Sequence, residues 1–526
     1  MRYKAFLLVF LLLLTSCVPK TETESKEETT QEPKTESVSS NTESAESISI
    51  TMRPASTFNP LLNEDAYVDR VLGLIFLPLL RIDDTFSIVP SVADSYEYSE
   101  DGETITLRIK DLSWHDGNVV TASDVKYSVD TLINDTPLNG VYKSCAENIS
   151  NCKIIDSETV SITFNESSRN NIYSLSFPVI SKNYYESAEA LKDPMGDGLY
   201  KFKSYTPPKE LCLERAGERQ ENHVNDIKVI ISPDEETDLY LFNKGSIDCV
   251  DSEKGIFQEY NDKDAESFCY ISSTYDFIGL NFNRYIFKDL NIRKAIAMSI
   301  NKTGIIKNIY LEDIFHVTAP IFPSSKLYNN TLGDYEYNTK EAERFLSLSG
   351  WEDKDGDGLR EKSINEYSEK LMVSVLVNKE NEARIQIAKS LVESLNSIGF
   401  KAEITEVDFD EYMKRISEKS FDIFIGGFKF SYDNDLSEIL ATNGSMNYVS
   451  YSDSRMDSLL ANAQNTYGEA QENAFYSLQE HIINELPYIS IGFVKKRLFV
   501  SGRIKEGVSP YECNVFNNIE NWILSN

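Results

Sequence analysis

Hydrophobic and polar positions follow two different periods along this chain, and the clearest alternation lies in its second half. Leu371 to Asn378 is a short apolar run that reads as a strand, and Lys401 to Val407 reads as another. Between them, Asn381 to Ile398 sets Ile385, Ala388, Leu391, Val392, Leu395 and Ile398 at helical spacing, and Gly399 stops the run. A strand, a crossover helix and a strand make a right-handed parallel unit. The pattern repeats: Asp410 is expected to cap a short helix through Ser417, and Phe421 to Gly427 reads as a third strand. This stretch predicts an α/β layer.

Upstream, Thr104 to Ile109 alternates as a half-buried strand, Asp116-Gly117 turns, and Thr121-Ala-Ser-Asp124 is a capping box. Val125, Val129, Leu132 and Ile133 give the helix that follows its apolar face. A further helix opens at Asn338 with Glu341 three residues on, buries Ala342, Phe345 and Leu346, and stops at Gly350. Strands mixed with helices on this scale indicate an α/β or α+β protein of several lobes.

The N-terminus follows neither period. Arg2 and Lys4 precede an apolar run from Ala5 to Leu14, and Leu14-Thr-Ser-Cys17 follows at once. The run is too short to span a bilayer, and with its basic start it predicts a signal peptide, residues 1–16, ending in a lipobox. Cys17 is then expected to become a lipidated N-terminus on the outer face of a bacterial membrane. Residues 17–47 are almost wholly Thr, Ser, Glu, Lys and Gln, too polar to repay their ordering entropy, and predict a flexible stalk. At about 5–6 Å × √n, such a stalk reaches about 30 Å.

The remaining length, about 480 residues, exceeds one hydrophobic core and suits two or three lobes. A formal net charge of −32 makes nucleic acid and anionic lipid poor partners, and no second long apolar segment occurs. The N-terminal anchor is therefore the expected membrane link. Of the cysteines after Cys17, none forms a Cys-x-x-Cys pair, which argues against zinc or iron–sulfur. Cys145 and Cys152 are close enough in sequence to close a small extracellular disulfide loop, and the alternative is two buried thiols. The four histidines share no helical spacing, so histidine chemistry starts weak.

Chemistry-bearing motifs are few. Asp353-Lys-Asp355-Gly-Asp357-Gly358 sets carboxylates at positions one, three and five of a calcium loop, but position twelve is Ile364; Glu361 or Glu366 is the available substitute. Structural calcium and a plain acidic turn both remain open, and no other cofactor is expected. There is no Gly-x-Ser-x-Gly, His-Glu-x-x-His or Gly-x-x-x-x-Gly-Lys, so an extracellular hydrolase has no nucleophile or base to nominate. The run Phe428-Lys429-Phe430-Ser431-Tyr432-Asp433 stands just past a strand end, where open α/β sheets bind ligands. Such aromatics serve equally as pocket wall or as core.

Several ordered runs resemble the extracellular solute-binding proteins of ABC transporters, family 5, which carry oligopeptides, dipeptides and nickel. They are Ile88-Val-Pro-Ser-Val-Ala-Asp-Ser-Tyr96, Leu107 to Lys110 through Trp114-His-Asp-Gly117 to Val125, and Gly196-Asp-Gly-Leu-Tyr-Lys-Phe202. Leu280-Asn-Phe-Asn283 with Asp289 to Ala295, Asn338 to Gly358, and Asn447-Tyr-Val-Ser-Tyr451 complete the series.

The resemblance implies a periplasmic-binding-protein-like fold: two hinged α/β lobes that clasp a ligand, plus an additional α+β domain. It places the first lobe at 48–75, 190–272 and 489–526, the inserted domain at 76–189, and the second lobe at 273–488. It also implies a monomeric receptor with no chemistry of its own, which passes a solute, oligopeptide first, to a permease driven by cytoplasmic ATPases. A nickel chelate, a sugar or an amine-bearing metabolite is the alternative cargo. Matched to the family's ligand-facing stretch, Phe428 to Asp433 carries Ser431 where peptide binders hold an aspartate against the ligand ammonium, so Asp433 is the candidate replacement. Asn63, Glu64, Tyr142, Tyr275 and Phe277 are the other expected cleft residues.

Overall fold

The computed structural model describes residues 46–186, 193–252, 265–364, 367–466 and 468–525. The expected signal peptide, Cys17 and nearly all of the stalk lie outside them. Among the described residues no helix is long and apolar enough to cross a membrane.

Three sheets organise the rest. In the first lobe, Ser47–Met52 pairs in parallel with Asp226–Ile231, and Glu210–Arg215 and Tyr200–Thr206 follow antiparallel. A second sheet, Ala93–Tyr98, Thr104–Ile109, Thr159–Phe164 and Ile149–Ile154, is antiparallel throughout. The helix Ala122–Asp135 packs on it through Val125, Val129 and Leu132. Its capping box forms: the Thr121 backbone N–H donates to Asp124 Oδ2 at 2.9 Å. Both sheets share one continuous core that includes Ile50, Val229, Ile105 and Ile162.

The third sheet carries the second lobe and joins it to the first. Met372–Asn378 lies parallel to Lys401–Val407 and to the start of Ile423–Lys429, with the helix Glu382–Ser397 as crossover. The sheet is covered on both faces. Val373, Val375 and Val377 meet Ile385, Ala388, Leu391 and Leu395 of that helix, while Leu376 joins a separate aromatic core. Double burial is why the strand reads as a continuous apolar run.

Two unusually long strands, Ala265–Leu280 and Tyr488–Ser501, pair antiparallel along most of their length. Their outer halves contact the strand Cys249–Ser252 of the first lobe, and their inner halves enter the second lobe's aromatic core. The pairing slips between Ile271 and Tyr275 and again between Asp276 and Phe277. Side chains satisfy the interrupted backbone, with Ser272 Oγ donating to the Val494 carbonyl at 2.7 Å. Extra residues in one strand bend and twist it locally, so the chain turns where it passes between lobes.

Three expectations need correction. The short helix is Phe409–Ser417, and its cap is Asp408, whose carboxylate accepts from the Glu411 N–H at 3.0 Å; Asp410 is already helical. The strand expected at 421–427 is Ile423–Lys429, because pairing with the long strand continues to Thr274 opposite Lys429. Cys145 and Cys152 are free, buried thiols. Cys145 lies on the helix Lys143–Asn148 and Cys152 on the next strand, both in the apolar core, where burial pushes each thiol up to about 12. Such thiols lack the thiolate that disulfide formation needs.

Candidate functional site

Where the lobes and the antiparallel domain meet, carboxylates outnumber cations. The helix Ala66–Leu72 starts there, its first N–H groups accepted by Asp65 at 2.7 and 3.1 Å, and it presents Asp69 and Arg70. Arg70 Nη1 lies 2.6 Å from Asp251 Oδ2, and the Tyr270 hydroxyl donates to Asp251 Oδ1 at 2.5 Å. Burial opposes the Arg70 charge, but Asp251 together with Tyr270, Tyr67 and Glu512 outweighs it and keeps the guanidinium protonated. Arg70 also stands 4.9 Å over the Tyr67 ring, and Arg53 sits 4.1 Å over the same ring. A cavity of about 20 Å³, room for one water, opens among Thr51, Tyr67, Arg70, Asp238 and Asp251.

Asp69 makes no ion pair among the described residues, although the Arg70 charge acts on it from nearby. It accepts the Tyr142 hydroxyl at 3.0 Å, and burial still pushes its carboxyl up to about 6. Glu512 adds a second buried carboxylate: Oε1 accepts from Ser273 Oγ at 2.8 Å, while Oε2 is buried without a hydrogen-bond partner among the described residues. Tyr432 reaches in from the second lobe. Burial, with Cys513 and Glu512 beside it, raises its hydroxyl well above the usual range, and Arg70 acts the other way. One residue on, burial also raises the Asp433 carboxyl, although Ser431 Oγ and the Asp435 N–H donate to it at 2.6 and 3.0 Å. A carboxylate raised by burial is one that a cation would stabilise.

The antiparallel domain touches the same place. Asn170 Nδ2 donates to the Asp433 carbonyl at 3.1 Å and to Gln464 at 2.7 Å. Phe86 stacks on Phe322 at 4.2 Å and on Tyr432 at 5.7 Å between ring centres.

The sequence-predicted site residues divide. Tyr142 and Tyr432 stand together beside Asp69, with Asp433 adjacent. Tyr275 and Phe277 do not line a cleft: they are 1 % and 0 % exposed, and Tyr275 shares a hydrogen bond with Ser490 at 2.5 Å. Phe430 is buried against Tyr275, and Phe428, half-buried, stacks on Phe277 at 4.6 Å. The alternation of a strand explains this, since 275 and 277, like 428 and 430, point to one face, here the core. Lys429 and Ser431 are exposed. Asn63 is buried and structural, its side chain bridging the Asp65 N–H and carbonyl at 3.1 and 2.7 Å, while Glu64 is exposed. Asp353 and Asp355 cluster with Glu361, whereas Asp357 pairs with Lys370 at 2.6 Å.

Sequence reading missed Asp69, Arg70, Asp251, Tyr270, Glu512 and Cys513. They come from four separated segments, and no local spacing marks them.

Residues 87–448 match the family model described as "Bacterial extracellular solute-binding proteins, family 5 Middle". The chain belongs to this family. It is 23 % identical over 502 residues to the oligopeptide-binding protein AppA of Bacillus subtilis, covering 89 % of each chain. It is 21 % identical to heme-binding protein A of Haemophilus influenzae, over 82 % of this chain and 84 % of that one. The structure of NikZ from Campylobacter jejuni in complex with Ni(L-His) superposes with a TM-score of 0.65 at 21 % identity, over 91 % of this chain and 99 % of NikZ. Family 5 proteins are solute-binding components of ABC importers, which accounts for the lobed fold.

Proposed function

We propose that this family 5 protein is the lipid-anchored, extracytoplasmic receptor of an ABC importer and that it captures oligopeptides. The observation that carries the reading is the group of carboxylates where the lobes meet: Asp69 and Asp433, both raised by burial, and Glu512 with a buried oxygen unpartnered among the described residues, while Arg70 is already engaged by Asp251. A site of that charge favours a ligand bearing an ammonium, which every free peptide has. The Bacillus relative named for oligopeptide binding supports the same class. In this reading 48–75, 190–272 and 489–526 form the first lobe, 76–189 the inserted domain and 273–488 the second lobe. The long strands at 265–280 and 488–501 act as the hinge. A peptide that touches both lobes binds better when they are together, so it shifts the balance toward the closed form that the permease accepts. Its main chain supplies groups common to all peptides, which permits broad side-chain tolerance. The cargo is released chemically unchanged.

Calorimetry on the chain lacking residues 1–17 tests the cargo, using a peptide mixture and the same peptides N-acetylated. Free peptides should bind, and acetylation should weaken them at least about tenfold, the loss of one charge-assisted pair. Equal affinity for acetylated peptides, or tighter binding of heme, a nickel chelate or a sugar, would overturn the peptide assignment. Recovery of a cleaved cargo would overturn the receptor role. For the anchor, Cys17→Ser should release the protein from the membrane into the medium; retention would refute lipidation at Cys17.

A further inference from the structure

The loop between the helix Thr339–Leu348 and the hairpin Glu361–Ile364 with Tyr367–Lys370 runs from Asp353 to Glu361. Asp353 folds it, Oδ1 accepting from the Gly356 N–H at 2.8 Å and Oδ2 from the Gly358 N–H at 3.0 Å. Asp355 and Asp357 accept in turn from the N–H groups of Asp357 and Leu359, at 3.2 and 2.8 Å. Acidic, glycine-rich turns commonly show such bonds, and these alone name no ligand.

Glu361 does. It is only 5 % exposed; Oε1 accepts from the Lys354 N–H at 3.1 Å, and Oε2 is buried with no hydrogen-bond partner among the described residues. A carboxylate oxygen from each of Asp353, Asp355 and Glu361 lies within 4.8 Å of the others. Lys354 and Arg360 lie in this loop and Lys370 on the hairpin beside it, and among the described residues each engages another group than Glu361: Lys370 pairs with Asp357 at 2.6 Å and Asp355 at 3.8 Å, Arg360 with Glu343 at 3.7 Å, and Lys354 Nζ reaches Ser363 Oγ at 3.5 Å. Three converging carboxylates with a buried, unpaired oxygen repel one another, and a divalent cation removes that repulsion and supplies the missing partner.

We propose that Asp353, Asp355 and Glu361 form a calcium site, with Glu361 at the ninth loop position replacing the glutamate that calcium loops usually carry at the twelfth. Oxygen ligands on an adaptable loop suit Ca²⁺ better than the strict octahedron of Mg²⁺. The neighbouring Arg360 bonds the carbonyls of Trp351 and Ile398, each at 3.0 Å. Calcium on Glu361 therefore ties the loop and hairpin to the ends of two helices. The site stands apart from the carboxylates where the lobes meet, and its role is to stabilise the second lobe.

Terbium luminescence and calcium-dependent melting of the chain lacking residues 1–17 test it, because buried Trp351 beside the loop can sensitise bound Tb³⁺. Terbium should light up on excitation of tryptophan, be displaced by calcium with a Kd of about 10⁻⁴–10⁻³ M, and calcium should raise the melting temperature. Glu361→Gln should weaken calcium at least about tenfold. Asp355→Asn, at an exposed position that folding tolerates, should do likewise if the first variant fails to fold. Lys370→Met should tighten calcium about threefold by freeing Asp357 and removing a competing charge, a gain that a purely structural loop would not show. Three results would overturn the site: no luminescence or melting shift at about 10 mM calcium, an unchanged response in both carboxamide variants, or an equal response to magnesium at matched ionic strength.

Discussion

Two arginine–aspartate–tyrosine groups sit on or beside the long strand Ala265–Leu280, and they are nearly identical in local geometry. In one, Arg384 Nη2 is 2.7 Å from Asp276 Oδ1, and the Tyr310 hydroxyl donates to Asp276 Oδ2 at 2.5 Å. In the other, Arg70 is 2.6 Å from Asp251, and the Tyr270 hydroxyl donates to it at 2.5 Å. Their surroundings differ. Arg384 and Asp276 balance one another and lie so close over Gly427 that a Cβ there would come within 2.0 Å of Arg384 and 2.4 Å of Asp276. Arg70 and Asp251 border a small cavity and share their neighbourhood with the carboxylates of Asp69 and Glu512. The pair motif does not make a site receptive. The charge left over around it does.

The comparison breaks first at Asp276. Asp276→Ala strands the Arg384 guanidinium in a nearly buried position and should cost about 3–5 kcal/mol of stability. Denaturant melts would show this, and a loss no greater than that of Asp251→Ala would mean the two groups are not different in kind. Next come Asp69→Asn and Glu512→Gln. Each should weaken a free-amine peptide about 10- to 100-fold, the value of a charge-assisted hydrogen bond, while leaving the melting temperature unchanged or higher. Calorimetry and melting on the same samples separate the two effects.

The pH dependence sharpens the contrast further. Because burial holds the Asp69 carboxyl up at about 6, a cationic ligand must find it ionised, so affinity should fall as pH drops through about 6. The slope should reach at most about tenfold per pH unit and vanish in Asp69→Asn. For the ligand-free protein the sign is opposite to that of an ion-paired carboxylate. The folded pKa is raised, so this group's contribution to stability is fully present below about pH 4 and lost as pH rises through about 6. Smallest of all, Ser431→Asp at an exposed position should strengthen amine binding only about threefold, since a solvated ion pair contributes little. A large gain there would move the ammonium site from Asp69 to Ser431.

What the chain determined by itself is what depends on near neighbours. The period of two at 104–109 and 401–407, the period of 3.6 at 382–397, and the caps at Thr121 and Asn338 all appear in the structure with ends correct to within a residue or so. Each is set by contacts a few residues apart. Family membership was legible too, because the ordered runs from Ile88 to Gly358 lie within the matched region, 87–448, and the last, Asn447 to Tyr451, straddles its end. The aromatic residues at 275, 277, 428 and 430 were harder, since a strand's alternation says that they share a face without saying whether that face meets core or ligand. Tertiary packing decided that they are core. It alone brought Asp69, Tyr142, Asp251, Tyr432 and Glu512 together from distant segments, because a charge surplus is a property of a volume, and no stretch of sequence spans that volume.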